Sequence, residues 1–166
     1  MPPMSPPEQL VRLAVERMAG AAAPSGLKVP VDVHGADYLA LFSSMEVINF
    51  PEYIEALTRI FKRAGISWTI SSKTFEATNS GIQIGDSKVA AELVGRVVSA
   101  AEALGVKYVI SPECGHAYMA LRWMGANMYG KPLPFKVLHI TEYLAQLKKE
   151  GKWTILFFYP ADFTFV

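Results

Sequence analysis

Short apolar, β-prone runs alternate with longer stretches of helical period along this chain, and from Asp37 onward the alternation is regular. Tyr38 to Phe42 reads as a strand. The helix after it has Pro51 in its first turn, Ile54, Leu57 and Phe61 on one face, and Gly65 as its stop. Ile66 to Ile70 is the next strand, and residues 71–85 read as a loop. Asp86 then caps a helix whose apolar stripe of Val89, Leu93, Val97 and Leu104 ends at Gly105, before a third strand from Val106 to Ile110. Two phrases, Arg63-Ala-Gly-Ile-Ser-Trp-Thr-Ile-Ser and Ala103-Leu-Gly-Val-Lys-Tyr-Val-Ile-Ser, share one layout of helix end, glycine, apolar strand and serine. Successive turns of one right-handed winding have that layout.

Past Cys114, a short helical segment from Tyr118 to Trp123 leads through a Gly- and Pro-containing loop to a strand from Phe135 to Leu138. Thr141 can cap a last helix through Leu144 and Leu147 to Gly151, and Trp153 to Tyr159 is a final aromatic, β-prone run. At the other end, the Pro-rich first seven residues predict a disordered arm, Glu8 to Ala19 a short helix with Leu10, Leu13 and Ala14 on its apolar side, and Ala21 to Pro30 a linker. The division expected is an arm and helix over 1–30, an α/β domain over 31–151, and a terminal strand or a truncated or fused tail over 152–166. The fold class predicted is α/β: a parallel, Rossmann-like sheet of four or five strands with helices on both faces. In such sheets ligands bind beyond the carboxyl ends of the strands, where the loops after Ser43, Ser71, Ser111 and His139 converge.

Composition narrows the function classes. With 166 residues, 51% hydrophobic and 19% charged, there is enough apolar material for one sizeable core. Sixteen basic and fifteen acidic residues leave a net charge of +1, with no basic run long enough to track a phosphate backbone, so nucleic acid is not an expected partner. The longest apolar stretches fall short of the roughly 20 residues of a membrane helix. The N-terminus lacks the charged opening and apolar centre of a secretory signal, and a single cysteine, Cys114, suits a reducing compartment. A cytoplasmic protein is the expectation, with a peripheral place on a membrane complex allowed.

The segment Ser111-Pro-Glu-Cys-Gly-His-Ala-Tyr carries the most chemistry, because Glu113, Cys114 and His116 put a carboxylate, a thiol and an imidazole within four residues at a strand end. A thiolate there, favoured by His116 or by a helix N-terminus, can bind metal or attack an electrophile. The competing reading is a small buried thiol with His116 as a satisfied loop residue, and residue types alone leave both open. Ser80-Gly-Ile-Gln-Ile-Gly-Asp before a helix lacks the spacing of a phosphate loop and reads as turn chemistry. For His34 and His139 a hydrogen-bonded structural role is expected. Trp123, Tyr129 and Trp153 suit either a docking face or the core.

Ile110-Ser-Pro-Glu-Cys-Gly-His-Ala-Tyr, followed about twenty residues later by Phe135-Lys-Val-Leu-His-Ile-Thr-Glu-Tyr-Leu, resembles the cysteine-rich domain of heterodisulfide-reductase-type iron–sulfur subunits. In that family a strand runs into a Cys-Pro-x-Cys turn and a later strand ends in a His-Ile/Leu-x-Glu-Leu/Tyr-Leu phrase. Phe42-Ser-Ser stands at the place of the family's first cysteine, and the phrase beginning Glu76-Ala-Thr-Asn at that of its Cys-Cys-Gly segment. The resemblance runs from about Val33 to Lys152. It implies an electron-transfer role in sulfur metabolism, with Cys114, His116 and Glu113 as the catalytic candidates and Cys114, His139 and Glu76 as the cofactor-facing ones. The full motif supplies five cysteines to an unusual pair of four-iron clusters; here Ser43 or Ser44, Glu76, Ala77 and Ser111 stand at four of those positions. One thiolate cannot hold a cubane, which takes about four. The resemblance therefore implies no metal or cofactor in this chain alone, an iron–sulfur cluster supplied by a partner domain, and iron–sulfur subunits or a further C-terminal domain as partners. Two rivals stand beside this reading. One is a non-catalytic docking module for a cluster-bearing partner. The other is a peroxiredoxin fragment, because Lys152-Trp-Thr-Ile-Leu-Phe-Phe-Tyr-Pro-Ala-Asp-Phe-Thr-Phe-Val is similar to the segment preceding the peroxidatic cysteine of that family.

Overall fold

The computed structural model describes residues 7–75, 78–111 and 114–151. The Pro-rich arm before Pro7, the pair Glu76 and Ala77, the pair Pro112 and Glu113, and the aromatic run from Lys152 onward lie outside the described residues.

Helix α1 (Pro7–Gly20) and a 3-10 turn (Ala23–Ser25) precede strand β1 (Tyr38–Ala40). Helices α2 (Ser44–Asn49) and α3 (Pro51–Ala64) lead to β2 (Trp68–Thr69), then α4 (Ser80–Gln83) and α5 (Ser87–Leu104) to β3 (Tyr108–Ser111). Helix α6 (Gly115–Met119), a π-helical turn (Ala120–Met124) and α7 (Gly125–Tyr129) follow, then β4 (Lys136–His139) and α8 (Ile140–Lys149). The four strands form one parallel sheet in the order β2-β1-β3-β4. The chain moves outward to β2, then crosses back over β1 to β3. The gap between β1 and β3 is therefore the place where the winding reverses.

Side chains on successive strand residues point to opposite faces, and both faces are apolar. Ala40 and Phe42 of β1 and its extension and Ile110 of β3 pack into one core with Met18, Ile54, Leu57, Phe61, Tyr143 and Leu147, from α1, α3 and α8. Leu39, Leu41, Val109 and Val137 pack on the other face against Val94, Val97, Val98, Ala101 and Leu104 of α5 and Leu121 of the π-turn. The helices stop where glycine can turn left-handed: Gly65 and Gly105 have φ of 69° and 71° and cap α3 and α5. Pro51 opens α3, and Asp86 caps α5 by accepting bonds from Lys88 N at 2.9 Å and Val89 N at 3.0 Å.

Several local expectations shift. The segment read as a linker is packed: Ala22 and Val29 are buried and Pro30 O accepts a bond from Ile70 N at 2.9 Å, while just beyond it Val31 bridges in parallel to Ile70 and Asp32 accepts a bond from Ser72 N at 2.8 Å. On α1, Met18 rather than Leu13 faces the core, and Leu13 is exposed. On α5 the predicted Val97 and Leu104 are buried with Val98, Ala100 and Ala101, but in its first half Ala90 and Val94 are buried in place of the predicted Val89 and Leu93. At Ala90 the face turns toward α4, whose Gly81 lies against the Ala90 backbone, so a small residue sits where the two main chains approach. Within the expected loop after β2 sits α4, whose Gly81 packs on α5. A Cβ there would overlap the Ala90 backbone, so closeness of two main chains explains this glycine, and a four-residue helix offers no anion cradle.

Candidate functional site

The residues at or just past the carboxyl ends of the strands flanking the switch point are polar: Ser43 lies three residues past β1 and Ser111 closes β3. After β1, the Ser43 hydroxyl accepts a bond from Glu46 N at 3.3 Å while Glu46 Oε2 accepts one from Ser43 N at 2.6 Å. That reciprocal box fixes the entry into α2 and keeps Glu46 buried beneath the edge. Beside it, β3 ends at Ser111, which is 2% exposed and whose Oγ has no hydrogen-bond partner among the described residues. Such a hydroxyl is an exception to the general pairing of buried polar atoms, and it stands next to the crevice between β1 and β3. After β2, Ser71 is buried, and its Oγ accepts a bond from Lys73 N at 3.0 Å.

Cys114 is the next described residue after Ser111. It is half-buried, occupies the N-cap of α6 and makes no capping bond through its side chain, while its carbonyl accepts from Tyr118 N at 2.9 Å. His116 is exposed on the first turn of α6. His139 ends β4 in register with Ser111, one strand spacing of about 4.8 Å away. One turn beyond Cys114, the Tyr118 ring meets His139 edge to face, with centroids 5.4 Å apart. This contact sets the start of α6 against the end of β4. Glu113 and Glu76 lie outside the described residues, so the geometry assigns them no position.

His139 has the hydrogen-bonded role expected of it, through partners that its sequence neighbourhood does not single out. Its ring, rather than Thr141, caps α8: Nδ1 accepts from Thr141 N at 3.3 Å and lies 2.8 Å from Thr141 Oγ1. Glu142 Oε2 closes the box, accepting bonds from His139 N at 2.8 Å and Tyr118 Oη at 3.0 Å. Burial and that carboxylate raise the Tyr118 phenol above its ordinary pKa, so it stays a donor. The sequence signal is Glu142 three residues after His139, the spacing of a capping box, masked because histidine is an unusual N-cap. His34 lies before β1, next to Gly35, whose N–H bonds Leu104 O at the end of α5; that is the amino side of the sheet, away from this edge.

Among the described residues no three His, Cys, Asp or Glu side chains come together as metal ligands would. A four-iron cluster takes about four thiolates. With one cysteine in the sequence, Cys114, and serines after β1 and at the end of β3, the described residues of this edge do not fit a cluster held by their side chains. No helix of the described residues is long and apolar enough to cross a membrane.

Two curated proteins match the chain. Over 99 residues, 59% of this chain, it is 32% identical to an EtfAB:quinone oxidoreductase of Syntrophomonas wolfei subsp. wolfei, spanning 13% of that protein. Over 101 residues, 58% of this chain, it is 31% identical to a subunit of the dihydromethanophenazine:CoB–CoM heterodisulfide reductase of Methanosarcina acetivorans, spanning 24% of it. The chain thus spans less than a quarter of the length of either relative. No family model and no solved structure matches it.

Proposed function

We propose that this chain is a cysteine-poor counterpart of the cysteine-rich domain in heterodisulfide-reductase-type electron-transfer subunits, holding no cluster of its own and offering its carboxyl edge to a partner domain that does. The observation that carries the reading is the composition of the switch point. Ser43 follows β1 and caps α2, Ser111 ends β3, the Ser111 hydroxyl is buried without a partner among the described residues, and Cys114 caps the next helix. Similarity to segments of two oxidoreductases, one of them a heterodisulfide reductase, supports the same assignment. In this reading residues 31–151 are the working unit, Cys114 is its redox-capable group, and His139 and His116 flank it. Glu76 and Glu113 stand at or beside positions that hold cysteine in the resemblance. The partners are iron–sulfur subunits or a further domain.

A docking role without chemistry is the second reading, favoured by the exposed side chains of Met119 and Trp123 one turn apart beyond Cys114. The peroxiredoxin resemblance concerns residues 152–166 alone, which lie outside the described residues. The two leading readings separate in one experiment. Anaerobic reconstitution with iron and sulfide should leave well under one iron per chain in both. Alkylation of Cys114 in the folded protein should be rapid if the thiol works and should require denaturation if the residue is structural. Stoichiometric iron in the native chain would overturn both readings, and an inert Cys114 would leave only docking.

A further inference from the structure

Beyond the edge strand β2, helix α1, the segment after β2 and helix α5 enclose an open cleft of about 680 Å³. Its lining carries three cations, Arg12, Lys73 and Arg96, and one carboxylate, Glu16, over an apolar floor of Val11 and Val15. It adjoins a narrow recess of about 40 Å³ that shares Val11, Lys73 and Arg96 and ends on Thr74, Phe75 and Leu93. The cations come from three separate elements, so the fold rather than one helix's charge pattern brings them together. Arg12 is paired within its helix to Glu16 at 3.7 Å, and Arg96 to Glu92 at 2.5 Å. Lys73 makes no ion pair among the described residues, and its backbone is held by Ser71.

Positive walls over an apolar floor, in a volume typical of small-molecule sites at roughly 300–1,000 Å³, select one ligand chemistry. We infer that this cleft binds a small organic anion, a carboxylate or phosphate head on a short apolar body. The head lies with Lys73 and Arg96, and the apolar end points toward Phe75 and Leu93. Lys73 supplies a charge that has no ion-pair partner among the described residues to give up. Arg96 can turn from exposed Glu92 at small cost, because surface ion pairs are weak. The recess is narrow and lined by Phe75 and Leu93 at its end, which suits a thin, straight apolar chain.

Titration of the native chain with octanoate and, separately, with octyl phosphate, followed by amide ¹H–¹⁵N spectra, tests this. Saturable shifts confined to Val11, Val15, Lys73, Phe75 and Arg96 are expected with at least one of the two, and the tighter one identifies the head group. Lys73→Gln and Arg96→Gln, both at exposed side chains, should each weaken binding at least fivefold. Lys62→Gln, in the shallower basic groove near Leu27, should leave binding unchanged. Binding of 1-octanol as tight as octanoate, equal loss in Lys62→Gln, or no saturable shift with either anion would overturn the inference. Unaltered amide spectra of the free variants show that a loss is not unfolding.

Discussion

Removing the Ser111 hydroxyl should stabilise the protein. The residue is 2% exposed and its Oγ has no hydrogen-bond partner among the described residues, so folding strips water from the hydroxyl and gives nothing back. Burying an unpaired hydroxyl costs about 1–3 kcal/mol in protein substitutions. Ser111→Ala removes that cost and leaves a void of one oxygen, which takes back a few tenths of a kcal/mol at about 24 cal/mol per Å³. The net expectation is a gain of about 1 kcal/mol, or about 2–4 °C in Tm for a chain of this size. Urea unfolding followed by circular dichroism measures the first, and a thermal scan the second. The midpoint should rise with m unchanged. A loss of 1 kcal/mol or more would mean that the hydroxyl is satisfied in the folded protein, and the argument that this edge retains a polar group at the expense of stability would fail.

Glycine in two settings gives an opposed pair: Gly81→Ala drives a Cβ into the Ala90 backbone and should cost more than about 2 kcal/mol, whereas Gly95→Ala, inside α5 with nothing within 4 Å, should gain about 0.5–1 kcal/mol. Chemical denaturation of the two variants checks both signs. Asp86→Ala removes the acceptor for two amides at the start of α5 and should lower stability by about 1 kcal/mol in the same assay. Burial, with the nearby Tyr38 and Glu150 adding to it, pushes the Tyr143 phenol up to about 12, and burial likewise raises Tyr38. Both folded values exceed the unfolded value of about 10, so this stability is complete below about pH 10 and is lost as pH climbs toward 12. Stability measured against pH should fall across that window, and Tyr143→Phe should make the fall shallower.

The sheet is legible in the sequence because its strands are apolar on both sides and bounded by glycine. Gly65 and Gly105 mark the helix ends before β2 and β3, and the repeated phrase around them predicts parallel winding. The strand ends near Ser43, Ser111 and His139 follow from the same pattern. Phase along helices is harder to read. In α5 the apolar residues outnumber those that are buried, and Ala90, set against Gly81 of α4, is buried while Leu93 is not, so size misleads where backbones approach. The helical stretch from Gly115 to Tyr129 reads as shorter than it is because Gly125 and the π-turn break the 3.6-residue period. His139 as a cap, and Tyr118 reaching Glu142 across two elements, depend on tertiary contacts that local pattern does not encode. Nor does spacing along the chain bring Lys73 and Arg96 into one cleft.

The central claim is that serine and other residues occupy ligand positions of a cysteine-rich domain while the frame around them is kept. Restoring the set tests it directly: Ser43→Cys, Glu76→Cys, Ala77→Cys and Ser111→Cys together, beside native Cys114, with a parallel set carrying Ser44→Cys in place of Ser43→Cys. Each protein is reconstituted anaerobically with iron and sulfide, and its iron content is measured with its absorbance near 400 nm. The account predicts that the native chain stays colourless with well under one iron, while at least one restored set takes up about four irons or more per chain. Folded, colourless proteins from both restored sets would contradict it, because these positions would then not converge as ligands of a cluster.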